Sequence, residues 1–163
     1  MALSDKSRRD DKQTDDVTAS ELEVLMANIS KIMEEEDSKV FSNEVISEFR
    51  NPHNPERMAD ADGSGMADGL CGDMMEMFVK TDGPRIVRCS FFTDGCGATV
   101  ASGSRLARFV EGMTVDEASS VRPIDLVSLL GGLPEDHEHC AALAVIALRN
   151  ALRNVEERRR AEG

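Results

Sequence analysis

Three of the four cysteines in this chain stand where predicted secondary-structure elements begin. Cys71 precedes a predicted strand, Cys96 precedes a predicted helix, and Cys140 lies in the first turn of the last predicted helix. Glycines beside Cys71 and Cys96 remove the Cβ atoms that would keep a ligand away from the backbone. A helix N-terminus stabilises thiolate, which is the form that binds iron or zinc and attacks a persulfide. The three cysteines are therefore candidates for a shared metal or sulfur-transfer site. Because no Cys-x-x-Cys pair is present, their spacing alone is a weak signal, and inert buried thiols are the default interpretation.

A β-hairpin is predicted between the first two of these cysteines. Met75, Met77 and Val79 alternate with polar or outward positions, which is the period of a half-buried strand. Thr81-Asp82-Gly83 is typical of a turn, and Ile86 to Thr93 is predicted as the second strand. Residues 51–70 hold several Gly, Pro and Asp residues and are predicted as a loop.

Helices are predicted on both sides of the hairpin from apolar residues spaced three and four apart. An amphipathic helix is expected over 20–36, after a polar tail (1–17) that is expected to be disordered. Further helices are predicted over 41–50, 98–111 and 138–159, with short helices after Thr114 and from Pro123. These elements predict an α+β domain with a small antiparallel sheet of about three strands, covered on one face by helices, and a long C-terminal helix.

Two regions follow from this pattern: an N-terminal extension over 1–38, made of the tail and the first helix, and a single domain over 39–160.

The composition excludes several classes of function. The net charge is −12, with 31 acidic against 19 basic residues, so nucleic acid is not expected as a partner. The longest apolar run, 140–148, is too short to span a membrane, and the N-terminus lacks the apolar stretch of a secretory signal. A cytoplasmic location is therefore expected, and there the thiols stay reduced.

Several short motifs, in order and at similar spacing, resemble those of the IscU/NifU-type scaffold proteins. The resemblance covers roughly residues 40–158 and rests on Phe41-Ser42-x-x-Val45-Ile46, Asn51-Pro52-x-Asn54, Gly63-Ser64-Gly65-Met66, Cys71-Gly72-Asp73, Gly95-Cys96-Gly97-Ala98, Ala101-Ser102, the run from Glu111 to Ala118, and His139-Cys140. It implies a non-catalytic scaffold on which iron–sulfur clusters are assembled from iron and desulfurase-derived sulfur and then transferred to apoproteins.

The resemblance also implies which residues serve the site. Cys71, Cys96 and Cys140 would carry the cluster, Asp73 would keep it labile, and His139 would be a neighbour or fourth ligand. The cargo would be a 2Fe–2S cluster, with 4Fe–4S as the alternative, and Zn²⁺ would occupy the same residues in the cluster-free form. This donor set is consistent with that role, because a carboxylate suits iron–sulfur chemistry less well than thiolate, and three thiolates with Asp or His also suit tetrahedral zinc.

The implied partners are a cysteine desulfurase and recipient apoproteins. Members served by a dedicated Hsp70-type chaperone carry Leu-Pro-Pro-Val-Lys before the His-Cys pair. Here that stretch is Leu133-Pro134-Glu135-Asp136-His137, which puts recognition by that chaperone in doubt. The change also places His137 three residues before Cys140. Positions i and i+3 share a helical face, so His137 is a possible alternative ligand, against the simpler interpretation of a solvated residue in an acidic run.

Two other functions remain open from the sequence. One is a zinc-dependent sulfurtransferase that accepts persulfide sulfur; related proteins of that kind carry a long insertion between the second and third site cysteines and lack His before the last. The 44-residue separation of Cys96 and Cys140, with His139 present, favours the scaffold. The other is a structural zinc module that binds proteins through its N-terminal helix. Cys89 shares a strand face with Val87 and Phe91, and it is predicted to be a core residue.

Overall fold

The computed structural model describes residues 18–70 and 72–163. The predicted disordered tail and Cys71 lie outside the described residues. The chain divides into two compact units, up to Glu36 and from Asp37 to Gly163. The elements in chain order are α1 (Ala19–Val40), α2 (Asn43–Arg50), β1 (Gly63–Asp68), β2 (Met74–Asp82), β3 (Arg85–Thr93), α3 (Gly97–Val110), α4 (Val115–Ser119), α5 (Pro123–Leu129), a 3₁₀-helix (Glu135–His137) and α6 (Glu138–Glu162).

Helix α1 confirms the helix predicted over 20–36 and runs four residues farther, to Val40. Thr18 and Glu21 form a capping box at its start, since each side chain bonds to the backbone N–H of the other residue. Its apolar side chains are each between 48% and 61% exposed: Leu22, Val24, Leu25, Met26, Ile29, Ile32, Met33 and Val40. Among the described residues, no helix combines the length and the apolarity needed to cross a membrane.

The second unit is an α+β domain, as predicted. Its sheet has the order β1-β2-β3, and both strand pairs are antiparallel. Met75, Met77 and Val79 of β2 are fully buried, which confirms the predicted period of two. Helix α6 packs on β1 and β2 while α3 packs on β3, so helices cover one face of the sheet.

The prediction of a loop over 51–70 was wrong for its last part, because residues 63–68 form strand β1. The glycines that indicated a loop serve another purpose here. A Cβ atom on Gly63 would lie 2.6 Å from the carbonyl oxygen of Ala151, and one on Gly65 would lie 2.2 Å from the Ala151 nitrogen. Glycine in a strand often marks the close approach of another backbone, and here that backbone is α6.

The core lies between the sheet and helices α3 and α6. It includes Phe91 from β3, Leu106 from α3, and Leu148 and Leu152 from α6, each no more than 1% exposed. Cys89 is fully buried in this cluster, as its strand position predicted. Burial raises the pKa of the Cys89 thiol, so this thiol stays protonated.

Helix α3 is held in place by a buried carboxylate from α2. Glu48 is 6% exposed and accepts hydrogen bonds from the Ser104 hydroxyl and from Nε of Arg108, the latter at 3.1 Å. Arg105 approaches the same carboxylate at 3.5 Å. Two arginines and a hydroxyl together compensate a buried charge that would be costly if left unpaired.

Replacement of Gly65 by alanine is expected to destabilise the domain by about 2 kcal/mol or more, since the new methyl group would overlap backbone atoms of α6 that cannot move independently. Urea unfolding of Gly65→Ala against the parent protein measures this change. Ser64→Ala, on the same strand, adds no bulk and serves as the control. A Gly65→Ala protein as stable as the parent would show that β1 and α6 are not in backbone contact.

Candidate metal centre

Cys96 is the N-cap residue of α3, and its side chain is exposed. Partial burial opposes ionisation of the thiol, but the nearby Thr99 hydroxyl and the backbone N–H groups of Thr99 and Ala98 at the helix N-terminus outweigh this effect. The pKa of Cys96 therefore lies below the ordinary value for a thiol. The helix N-terminus supplies the donors, as the sequence predicted for a cysteine at this position.

Cys140 lies in the first turn of α6 and is fully buried. Its burial raises the pKa of the thiol to about 11; a hydrogen bond from Thr99 opposes this effect, while the neighbouring Cys96 and Asp73 add to it. The two thiols therefore differ in ionisation although they belong to one site. A bound metal ion would remove this difference, because a coordinating thiol is deprotonated outright.

The His137 side chain lies close to these two cysteines. One ligand atom each from Cys96, His137 and Cys140 all lie within 4.8 Å of one another. The 3₁₀-helix that ends at His137 leads directly into α6, so the imidazole comes onto the same side as Cys140. Its ring packs edge-on against Phe41 at a centroid distance of 5.2 Å, and its buried Nδ1 atom has no hydrogen-bond partner in the part of the chain that the structure describes. Two sulfurs and one imidazole nitrogen are a donor set that suits zinc or iron.

Asp73 and His139 lie beside this group, but neither belongs to it among the described residues. Nε2 of His139 is 3.7 Å from the sulfur of Cys140. Oδ2 of Asp73 accepts a hydrogen bond of 3.1 Å from Thr99, whereas its buried Oδ1 has no hydrogen-bond partner among the described residues. An unpartnered buried carboxylate oxygen is unusual, and a cation would satisfy it.

Thr99 is the residue of the site that sequence reasoning missed. It is fully buried, and its hydroxyl lies 3.3 Å from the sulfur of Cys140 and 3.5 Å from that of Cys96. Its position three residues after Cys96 was the available signal, because residues i and i+3 share a helical face once Cys96 is recognised as the N-cap.

An open depression of about 410 Å³ gives access to the site. Asp73, Cys96, His137 and His139 line it, together with Asp94 and Asp136. Three carboxylates around a shallow depression favour the approach of cations. The described part of the site thus combines sulfur and imidazole groups that could hold a metal ion with an acidic entrance.

Comparison with known proteins places the chain in a family. The model of the NifU-like N-terminal domain matches residues 40–162. The chain belongs to this family. The IscU 1 iron–sulfur cluster assembly scaffold protein of Archaeoglobus fulgidus is 37% identical over 114 residues, which cover 69% of this chain and 74% of that protein. The IscU scaffold protein of Escherichia coli K12 is 33% identical over 127 residues, which cover 75% of this chain and 98% of that protein.

A solved structure shows the same fold. The N-terminal NifU-like protein of Brucella abortus superposes with a TM-score of 0.59 at 21% identity, over 71% of this chain and 94% of that one. The match to the NifU-like domain begins at Val40, the last residue of α1, and spans every residue predicted to serve the site.

In the metal-free, reduced protein, Cys96 is expected to react with iodoacetamide at lower pH than Cys140. Thiolate is the reacting form, so the lowered pKa of Cys96 allows its labelling at lower pH. The pKa of about 11 confines the labelling of Cys140 to alkaline pH. Mass spectrometry of the labelled peptides measures each cysteine separately. Cys89 is the buried control and should remain unlabelled until the protein unfolds. Superimposable profiles for Cys96 and Cys140 would contradict the assigned difference.

Proposed function

We propose that this protein is a scaffold on which an iron–sulfur cluster is assembled from iron and desulfurase-derived sulfur and then passed to apoproteins. The observation that supports the proposal most strongly is the grouping of Cys96, His137 and Cys140 within 4.8 Å at an open, acid-lined depression. The relatives from Archaeoglobus fulgidus and Escherichia coli are both named as cluster assembly scaffold proteins. Two thiolates in proximity provide the soft ligands that clusters require.

The proposed cluster-bearing thiolates are those of Cys71, Cys96 and Cys140, with Asp73 and His139 beside them as the resemblance implies. The position of the His137 nitrogen favours this residue as a further ligand, because it shares a 4.8 Å group with both described sulfurs. A mixed set of sulfur, nitrogen and carboxylate ligands would hold the cargo less firmly than four cysteines. Such a set suits a protein that must release what it binds, and Zn²⁺ is the proposed occupant of the cluster-free form.

The proposed partners follow from the same function. A cysteine desulfurase would deliver sulfur as a persulfide, and apoproteins would receive the finished cluster. In this role the protein is a carrier and not an enzyme. The division into an extension over 1–38 and a scaffold domain over 39–160 stays a prediction, as does the cytoplasmic location.

Anaerobic incubation of the metal-free protein with ferric iron and sulfide is expected to produce visible absorption from sulfur-to-iron charge transfer. Cys96→Ser and Cys140→Ser should each lose most of this absorption, because each removes a thiolate that the cluster requires. Cys89→Ala is the matched control, since Cys89 is buried in the core away from the site. The reconstituted protein should then transfer its cluster to an apoferredoxin. The activity that the ferredoxin gains measures this transfer.

Two results of that experiment would overturn the scaffold. A protein that binds zinc but forms no cluster with iron and sulfide would be a structural zinc module. A protein that forms no cluster but accepts labelled sulfur from a desulfurase and passes it to a small thiol would be the sulfurtransferase.

Removal of the His137 imidazole is expected to weaken Zn²⁺ binding by well over 10-fold. Loss of a residue that only supports a ligand weakens metal binding by about 10-fold at the least. Competition with a chromophoric chelator measures the affinity of His137→Ala, of His139→Ala and of the double variant. His53→Ala is the control, because the third histidine lies in a loop and its Nε2 is 2.8 Å from Glu111. Unchanged affinity for His137→Ala in both the parent and the His139→Ala background would make His137 a surface residue.

A further inference from the structure

Helix α1 carries a continuous apolar stripe along one side. Its members lie three or four residues apart and are each between 48% and 61% exposed: Leu22, Leu25, Met26, Ile29, Ile32 and Met33. Three apolar residues for every two turns is the pattern of a helix that packs along an apolar surface, and it is wider than the seam of a coiled coil. The NifU-like domain begins at Val40, so this stripe lies ahead of the part that the chain shares with its family.

Acidic residues border this stripe at both ends. Glu21 and Glu23 lie beside its first turn, and Glu36 and Asp37 follow its last turn. The carboxylate of Glu21 is held at the helix start by its hydrogen bonds from Thr18. The helix as a whole has six acidic residues against two lysines, which gives it a net charge of −4. The stripe therefore has an apolar centre and an acidic border.

This border disfavours two of the surfaces on which the stripe could lie. In a parallel pair of α1 helices each Glu36 would face the same residue of the other copy, and in an antiparallel pair Glu21 and Glu23 would approach Glu36 and Asp37. Like charges brought together oppose both pairings. An anionic membrane surface is disfavoured as well, because helices that lie on membranes are rich in Lys and Arg on their polar face. A protein groove with an apolar floor and a basic rim would complement both features of the helix.

The C-terminal end of α1 leads directly to the metal centre. Its last residue, Val40, is followed by Phe41, whose ring packs against that of His137 at a centroid distance of 5.2 Å. His137 is grouped with Cys96 and Cys140. A helix of 22 residues is about 33 Å long, so a protein bound along α1 would be kept within reach of the site. Attachment of this kind raises the effective concentration of a partner at the site.

We propose that α1 is a docking helix for the sulfur-donating partner, and that the matching surface of this partner is an apolar groove bordered by lysine and arginine. The inference rests on the proposed function, from which it takes the sulfur donor. Among the proposed partners, the donor benefits most from being held near the site. A 2Fe–2S cluster contains two sulfides, so the donor delivers sulfur at least twice for each cluster, whereas an acceptor takes the finished cluster once.

Calorimetric titration of the full-length protein with the cysteine desulfurase of the same organism tests the apolar part of this surface. Leu25→Gln/Ile29→Gln removes two apolar side chains from the stripe and keeps good helix formers, so the affinity should fall on the order of 100-fold. Val24→Gln/Ala27→Gln is the matched control, because helical periodicity places these two residues on the opposite side of α1. This control should bind as the parent protein does.

The salt dependence of the same titration tests the basic rim. Binding of the parent protein should weaken as the ionic strength rises from about 0.05 M to about 0.5 M, because salt screens the attraction between acidic and basic surfaces. Glu36→Gln/Asp37→Asn removes two of the charges and should make the affinity less sensitive to salt. Binding that does not depend on salt would overturn the charge complementarity.

Four results would overturn docking of the donor on α1. The first is a desulfurase affinity that Leu25→Gln/Ile29→Gln leaves unchanged, or no binding by the parent protein. The others are self-association in sedimentation equilibrium, binding to phosphatidylglycerol vesicles, or a loss of stability in urea, each abolished or caused by this double substitution. They would assign the stripe to a second copy, to a membrane surface or to the chain's own domain. Reconstitution with iron and sulfide uses no desulfurase, so its failure would bear on the scaffold function and not on α1.

Discussion

The backbone of helix α6 lies directly against the backbone of strand β1, and the arrangement of the metal centre depends on this contact. The glycines at positions 63 and 65 leave no side chain between the two elements. Polar groups then fix the register, since Asn150 donates to the carbonyl of Met66 at 3.0 Å and Asn154 accepts from the backbone N–H of Ser64 at 3.1 Å. Because α6 is a continuous helix of 25 residues, its position on the sheet determines where its first turn lies, and that turn carries Cys140.

The opposite side of the site depends on α3, whose N-terminus carries Cys96. Two carboxylates fix this helix, one of them buried and the other partly exposed. Glu48 from α2 bonds to Ser104 on its inner face, and Glu111 at its C-terminal end accepts the backbone N–H of Cys89 at 2.9 Å. In a chain with a net charge of −12, these acidic residues are structural elements of the domain. They position α3 on the sheet, and thereby the sulfur of Cys96 relative to α6.

The two described thiols lie close together but in different environments. In the proposed function, this difference suits a cluster that has to be both acquired and released. Cys96 is exposed at a helix N-terminus that lowers its pKa, whereas Cys140 is buried and its pKa is raised to about 11. In the proposed function, one sulfur faces incoming iron and sulfur while the other anchors the cluster from within. The carboxylate of Asp73 and the imidazole of His137 lie beside them, and Thr99 contacts both the carboxylate and the sulfurs.

The sequence by itself determined the α+β class, the hairpin, the helices and the family, because these depend on periodic apolar residues and on short local motifs. It also indicated that Cys96 and Cys140 stand at helix starts, and that His137 could share a face with Cys140. It could not show that residues 63–68 form a strand, since Gly63 and Gly65 signal a turn until the backbone of α6 is known to lie against them. Only the tertiary structure brought Cys96, His137 and Cys140 within 4.8 Å and buried Thr99 between the sulfurs and Asp73. The contacts between α3 and α6 and between Asp73 and Thr99 join residues far apart in the chain, and no local pattern encodes the distance between two elements that meet only through packing on a common sheet.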